Sequence, residues 1–229
     1  MINPFKKTHW ISNFPKHYPF YKKVIANFIY FFTGIIVHPR KNLLTHKDLI
    51  KARIKLRKGD IVLLGNLRET SSFFIKGAVT HTALYLGNKE LIHAIGDGVQ
   101  YVSLHHIFTE YDTLVVLRLP PHIRGRRKII REAIKYAKTQ LGKPYDFEFS
   151  RGVDKMFCTE LINESFRYAG HDTQLKTINR AKGFEERILK FISTASLALR
   201  PEQFLESNFD VIFMSHNLKL KRKVVLKLS

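Results

Sequence analysis

His81-Thr-Ala-Leu-Tyr-Leu-Gly-Asn-Lys-Glu-Leu-Ile-His-Ala-Ile95 is a strand, a turn and a second strand in fifteen residues. The alternation over the first seven puts His81, Ala83 and Tyr85 on one face and Thr82, Leu84 and Leu86 on the other. Gly87-Asn88 turns the chain into Glu90 to Ile95, and Gly96-Asp97-Gly98 turns it again into Val99 to Ser103. The expected product is an antiparallel meander. His81 and His93 stand twelve residues apart about the Gly87 turn, so pairing of their strands would let the two rings meet on one face.

Upstream, Lys58-Gly59-Asp60 is a turn into a short buried strand over Ile61 to Leu64, and Ser71 to Val79 has a helical pattern. Downstream, Thr113 to Leu119 is apolar almost throughout and ends at Pro120-Pro121, as a central strand does. Arg126 to Leu141 carries Ile129, Ile130, Ala133, Ile134 and Ala137 at helical spacing and stops at Gly142 and Pro144. A second amphipathic helix is predicted from about Phe157 to Ala169, closed by Gly170. The last third predicts a helix over Glu185 to Leu199, a short helical turn opened by Pro201, and strands over Phe209 to Met214 and Lys221 to Leu228. Helices and an antiparallel sheet in mixed order make an α+β fold. Residues 1–46 form an aromatic and basic extension punctuated by prolines, 47–215 the single domain, and 216–229 a basic strand or tail.

The 229 residues contain 39 Lys and Arg against 19 Asp and Glu, a net charge of +20. With 45% apolar and 12% aromatic residues the chain has a core to bury, which excludes a disordered polycation. The charge suits a polyanionic partner. No zinc-finger spacing or RNA-binding strand motif accompanies the basic residues, so nucleic acid is disfavoured against an anionic membrane or cell-wall surface. The most apolar run, Val24 to Val37, has 14 residues between Lys22-Lys23 and Arg40-Lys41. That is short of the roughly 20 needed to span a bilayer, and no small-residue cleavage site follows it. It is either a helix packed on the core or an interfacial anchor with Trp10, Tyr18, Phe20 and Tyr21 at headgroup depth. A cytoplasmic or peripheral membrane location follows as the expectation.

Cys158 is the one cysteine, so no intramolecular disulfide and no multi-cysteine metal site can form within the chain. It falls at the start of a predicted helix, where free backbone N–H groups and the helix dipole favour a thiolate. A nucleophile also needs a base and a group that fixes the base's tautomer, and His81 with His93 could supply both. A lone cysteine on an apolar helix stripe is equally a small buried hydrophobe. A metal held by two histidines and a sulfur would need a further ligand at a suitable spacing, and none stands out. On the residues alone, a cysteine hydrolase and an inert core thiol both stand.

Six segments in order carry a resemblance: Gly59-Asp-Ile-Val-Leu-Leu64, His81 to Gly87, Leu91-Ile-His-Ala94, Tyr111 to Arg118, Leu141-Gly-Lys-Pro-Tyr-Asp146 and Phe157-Cys-Thr-Glu-Leu161. Together they resemble the permuted papain-like amidases of the YaeF and YiiX type, relatives of the NlpC cell-wall peptidases and of lecithin:retinol acyltransferase. Cys158 follows His81 by 77 residues, the permuted order. The resemblance implies a permuted papain-like fold with the cysteine helix against the sheet, Cys158 as nucleophile, His81 as base and His93 in the third position, where some members have Glu. It implies that Tyr145 and Asp146 line the cleft or shape its loop, and that no cofactor is used. Glu160, about 200° around the helix from Cys158, is read as structural. Ala83 departs from the Gly of many relatives. The implied reaction is amide hydrolysis through an acyl-cysteine, on a substrate such as a cell-wall peptide. A lipid ester enzyme at a membrane surface and a non-catalytic basic binding protein are the alternatives.

Overall fold

Ile61-Val-Leu-Leu-Gly65 is apolar at every position because both of its faces are covered. Ile61 and Leu63 join one hydrophobic cluster while Val62 and Leu64 join another on the opposite side. This strand, β1, lies inside a six-stranded antiparallel sheet in a computed structural model that describes residues 9–33, 44–66, 78–148, 154–176, 178–179, 197–220 and 224–226. The other strands are β2 (His81–Gly87), β3 (Glu90–Ile95), β4 (Gly98–Ser103), β5 (Thr113–Arg118) and β8 (Asp210–Met214), in the order β4-β3-β2-β1-β5-β8. The meander is therefore present, with Ala83 opposite His93 and Leu84 opposite Ile92.

Two amphipathic helices cover one face. In α4 (Arg126–Thr139) Ile129, Ala133, Ile134 and Ala137 are buried at helical spacing, and in α5 (Cys158–Tyr168) Leu161, Ile162 and Phe166 are. They meet Leu84, Leu86, Ile92 and Ala94 in a single core. The other face carries α2 (His46–Lys55) and α3 (Leu104–Glu110), whose Ala52, Leu104 and Ile107 pack with Ala83, Tyr85, Leu91 and Phe213. The sequence pattern had not predicted either of these shorter helices. The α2 start is fixed by a capping box between Thr45 and Asp48. Asp48 also accepts hydrogen bonds from the His216 backbone N–H at 3.0 Å and from its ring at 2.7 Å, tying this helix to the chain beyond β8.

The N-terminal segment folds as α1 (Phe20–Thr33), which starts earlier than the apolar run suggested; residues 34–37 of that run lie outside the described residues. Asn27 locks its inner side by accepting from the Ile11 N–H at 2.7 Å and donating to the Ile11 carbonyl at 3.2 Å. Most of the helix expected over Ser71 to Val79 also lies outside the described residues. So do residues 185–196 of the helix expected to end at Leu199; Leu197–Ala198 is instead a short strand, β7, paired with β6 (Ile178–Asn179). Pro201 opens a 3-10 helix through Glu206. Beyond β8, β9 (Leu218–Leu220) pairs with β10 (Val224–Leu226), the described part of the strand expected over Lys221 to Leu228.

The turn between β3 and β4 does more than reverse the chain. Gly98 has φ +106°, and a Cβ there would stand 2.4 Å from the Lys143 carbonyl oxygen. The room so left lets Val99 N–H donate to Lys143 O and Gly142 N–H donate to Val99 O, both at 2.9 Å. The loop that leaves α4 toward the cysteine is thereby clipped to the sheet.

Candidate active site

Cys158 occupies the first position of α5, with Phe157 as an N-cap that offers no side-chain acceptor. The chain reaches it through a tied path: Met156 N–H donates to Pro144 O at 3.0 Å, and Asp146 N–H donates to Met156 O at 3.2 Å. Glu160, three residues after the cap, turns its carboxyl back onto the Phe157 N–H. That is half of a capping box and gives the Cys-Thr-Glu glutamate a structural task. Its second oxygen, Oε2, is buried with no hydrogen-bond partner. Burial and the nearby Asp146 push this carboxyl up to about 8.

The histidine pair is formed. His81 Nε2 and His93 Nδ1 lie 3.0 Å apart, both rings buried, with their planes crossing at 71°. Tyr111, at the end of α3, stacks on the His81 ring at 5.6 Å and 5°. Burial holds His81 well below the usual imidazole range, with His93 adding to it, and takes His93 down to about 4. Both rings are therefore neutral at pH 7, and one proton sits between them.

Because α5 packs on the face that bears Leu84 and Leu86, the Cys158 sulfur meets Thr82, the residue next to His81. The thiol lies 3.9 Å from the Thr159 hydroxyl, and the Thr82 backbone and hydroxyl face it as well. No hydrogen bond joins the sulfur to either imidazole: the sulfur meets Thr82, whose side chain leaves β2 on the face opposite to that of His81. Burial pushes the Cys158 thiol up, and Thr82 and Thr159 only partly offset it. Burial thus opposes the thiolate that a helix start favours.

Tyr145 is half-buried and forms a β-bridge with Met156. Asp146 is fully enclosed: it accepts from the Glu148 N–H at 3.0 Å and pairs with Lys155 at 3.1 Å. Of lining the cleft and shaping its loop, enclosure leaves Asp146 the second. Lys155 also pairs with Glu148, which Lys22 of α1 meets from the other side. Burial alone would raise Glu148, but the two ammonium groups hold it below the ordinary range. Thr82 and Tyr111 are site neighbours that the sequence reading did not single out. The alternation of β2 placed Thr82 opposite His81, and that was the available signal for Thr82.

Among the described residues no group of three or more His, Cys, Asp or Glu is arranged to hold a metal.

The fold and the sequence are both similar to those of known proteins. The fold is similar to that of a metalloprotein, yiiX from Escherichia coli O157:H7, with a TM-score of 0.56 at 20% identity over 69% of this chain and 97% of that one. The chain is 38% identical over 68 residues to the probable lipoprotein peptidase YaeF of Escherichia coli K12, a match spanning 28% of this chain and 25% of that relative. It is 27% identical over 126 residues to protein OPG091 of monkeypox virus, spanning 53% of this chain and 71% of that relative, and 26% identical to the vaccinia virus counterpart. The profile of the permuted papain-like amidase enzymes, YaeF/YiiX, matches residues 55–208, which include the β2–β3 hairpin and the cysteine helix. The chain belongs to that family, the permuted papain-like amidases of family C92.

Proposed function

We propose that the protein is a thiol-dependent amide hydrolase working through an acyl-cysteine. The observation that carries this is the buried 3.0 Å pair of imidazoles, His81 and His93, on the hairpin whose Thr82 meets the Cys158 sulfur. When a substrate carbonyl arrives, His81 accepts the thiol proton as the sulfur attacks, so charge develops only during reaction. His93 holds the imidazolium that results. Backbone N–H groups at the start of α5 stabilise the oxyanion. His81 then returns the proton to the leaving amine, and water, deprotonated by the same imidazole, releases the acyl group from sulfur. The first-choice substrate is a peptide amide of the cell-wall type.

The test is incubation of the wild type and Cys158→Ser with muropeptides and, separately, with phospholipid esters, followed by product analysis and mass spectrometry of the cysteine peptide. Amide cleavage that disappears in Cys158→Ser, with an acyl adduct on Cys158, is the expected result. Cleavage of esters alone would move the reading to a lipid acyl enzyme. Turnover of neither substrate would leave a non-catalytic binding protein.

A further inference from the structure

The outward face of α1 is the reverse of what a water-exposed helix presents. Phe20, Tyr21, Val24, Phe28 and Phe32 fall within about 120° of arc, and no charged residue lies among them. Phe20 is 81% exposed, Phe28 70% and Tyr21 62%. Trp10 is 68% exposed and sits edge-on to Phe31 at 5.7 Å, and Phe28 stacks on Phe32 at 6.2 Å. The rings thus lie along one side of the helix. The opposite side of the helix is accounted for by Ala26, Asn27 and Tyr30, all buried against the body of the protein. A contiguous aromatic surface of this kind on a helix is an interaction site.

We propose that this face docks on an anionic lipid bilayer, with the rings at headgroup depth. Charge selects the occupant. Lys16 and Lys23 flank the rings, and the chain as a whole carries +20. A second copy of the chain would bring another +20 against the first, whereas an anionic leaflet is attracted by it. The face itself has no carboxylate or amide to recognise a polar partner, while aromatic rings with basic flanks are the composition that partitions into an interface. Docking there has a consequence for the site. The inner side of α1 meets the loop before the cysteine, through Lys22 on Glu148 and Tyr18 under the Lys155 ammonium at 5.5 Å. The turn that holds Asp97, at the His81 end of the hairpin, is also tied to this segment by Asn13 at 3.0 Å. The segment that would meet the bilayer is thus the one that braces the loop before the cysteine.

Trp10 is the only tryptophan, so the docking reports on itself. The full-length chain is mixed with vesicles of phosphatidylcholine, with and without phosphatidylglycerol at a third of the lipid, and followed by flotation and tryptophan emission. Binding to the anionic vesicles with a blue shift is expected, weakening with added salt. Phe28→Glu and Phe20→Glu, at exposed positions where folding tolerates charge, are each expected to reduce partitioning roughly tenfold or more. Unchanged circular dichroism shows that each variant is folded. Absence of binding, or binding that neither variant changes, overturns the proposal. So does a wild-type dimer in solution that Phe28→Glu converts to a monomer, because the face would then belong to a second copy. Vesicle binding is read without turnover, so its failure and failure of the hydrolase reading are separate results.

Discussion

One proton must lie between His81 Nε2 and His93 Nδ1, which are 3.0 Å apart. For His81 to act as a base at its other nitrogen, that proton has to be on His81 Nε2, with His93 accepting. His93 then carries its own proton on Nε2, which is buried and has no partner among the described residues. The arrangement favouring catalysis therefore keeps an unsatisfied donor buried, a cost that the surrounding fold offsets.

His93→Ala removes the acceptor and frees the His81 ring to turn. A loss in kcat/KM of about a hundredfold is expected, with His93→Gln, whose amide oxygen can still accept, losing less. Steady-state kinetics on a peptide amide measure both, and equal activity in all three proteins would remove His93 from the mechanism.

Alkylation should show how the thiol is held. Burial raises Cys158, and the neutral His81 cannot offset it with a charge. The rate with iodoacetamide is expected to be slow at neutral pH and to climb with an inflection above that of a free cysteine. An inflection below it would mean a preformed thiolate–imidazolium pair.

Glu160 should couple stability to pH. Its carboxyl goes from an ordinary 4.5 to about 8 in the fold, so the native state holds the proton more tightly than the unfolded chain does. The stability this provides is complete below about 4.5 and is lost as pH rises through about 8. Glu160→Gln is expected to be more stable than the wild type by about 1–3 kcal/mol at pH 8.5 and nearly equal to it at pH 4.5. Urea titrations at the two pH values read this difference.

Asp60 anchors the start of β1. It accepts from the Arg57 N–H at 2.7 Å and from Arg118 Nε and Nη2 at 2.8 and 2.7 Å. Asp60→Ala leaves the half-buried Arg118 without its carboxylate and should cost about 2–4 kcal/mol, seen as a lower urea midpoint. A shift under 0.5 kcal/mol, roughly the size of a surface substitution, would show that the pair is dispensable.

The elements that the sequence made legible are those with a clean period. The alternation around Gly87 gave the meander and the meeting of His81 with His93, and the stripes of α4 and α5 gave the helix layer. What it hid are features set by neighbours distant in the chain. The α2 helix has a weak apolar pattern, and its position depends on Asp48 reaching His216. The setting of Cys158 was hidden likewise: a helix start can be read from spacing, while desolvation depends on the packing around it. Phe20 to Phe32 were visible as apolar residues, but which of them face outward is fixed by Asn27 and Tyr30 gripping the other side.

The order of elements along the chain also sets a schedule during synthesis. Domains form as units while the ribosome delivers them from the N-terminus. The β2–β3 hairpin, with its paired imidazoles, is complete by Ile95, long before Cys158 and the rest of α5 emerge. The strand β8 that closes one edge of the sheet comes later still. A nascent chain thus carries its paired imidazoles before its cysteine, and under the proposed mechanism translation must pass α5 before chemistry can begin.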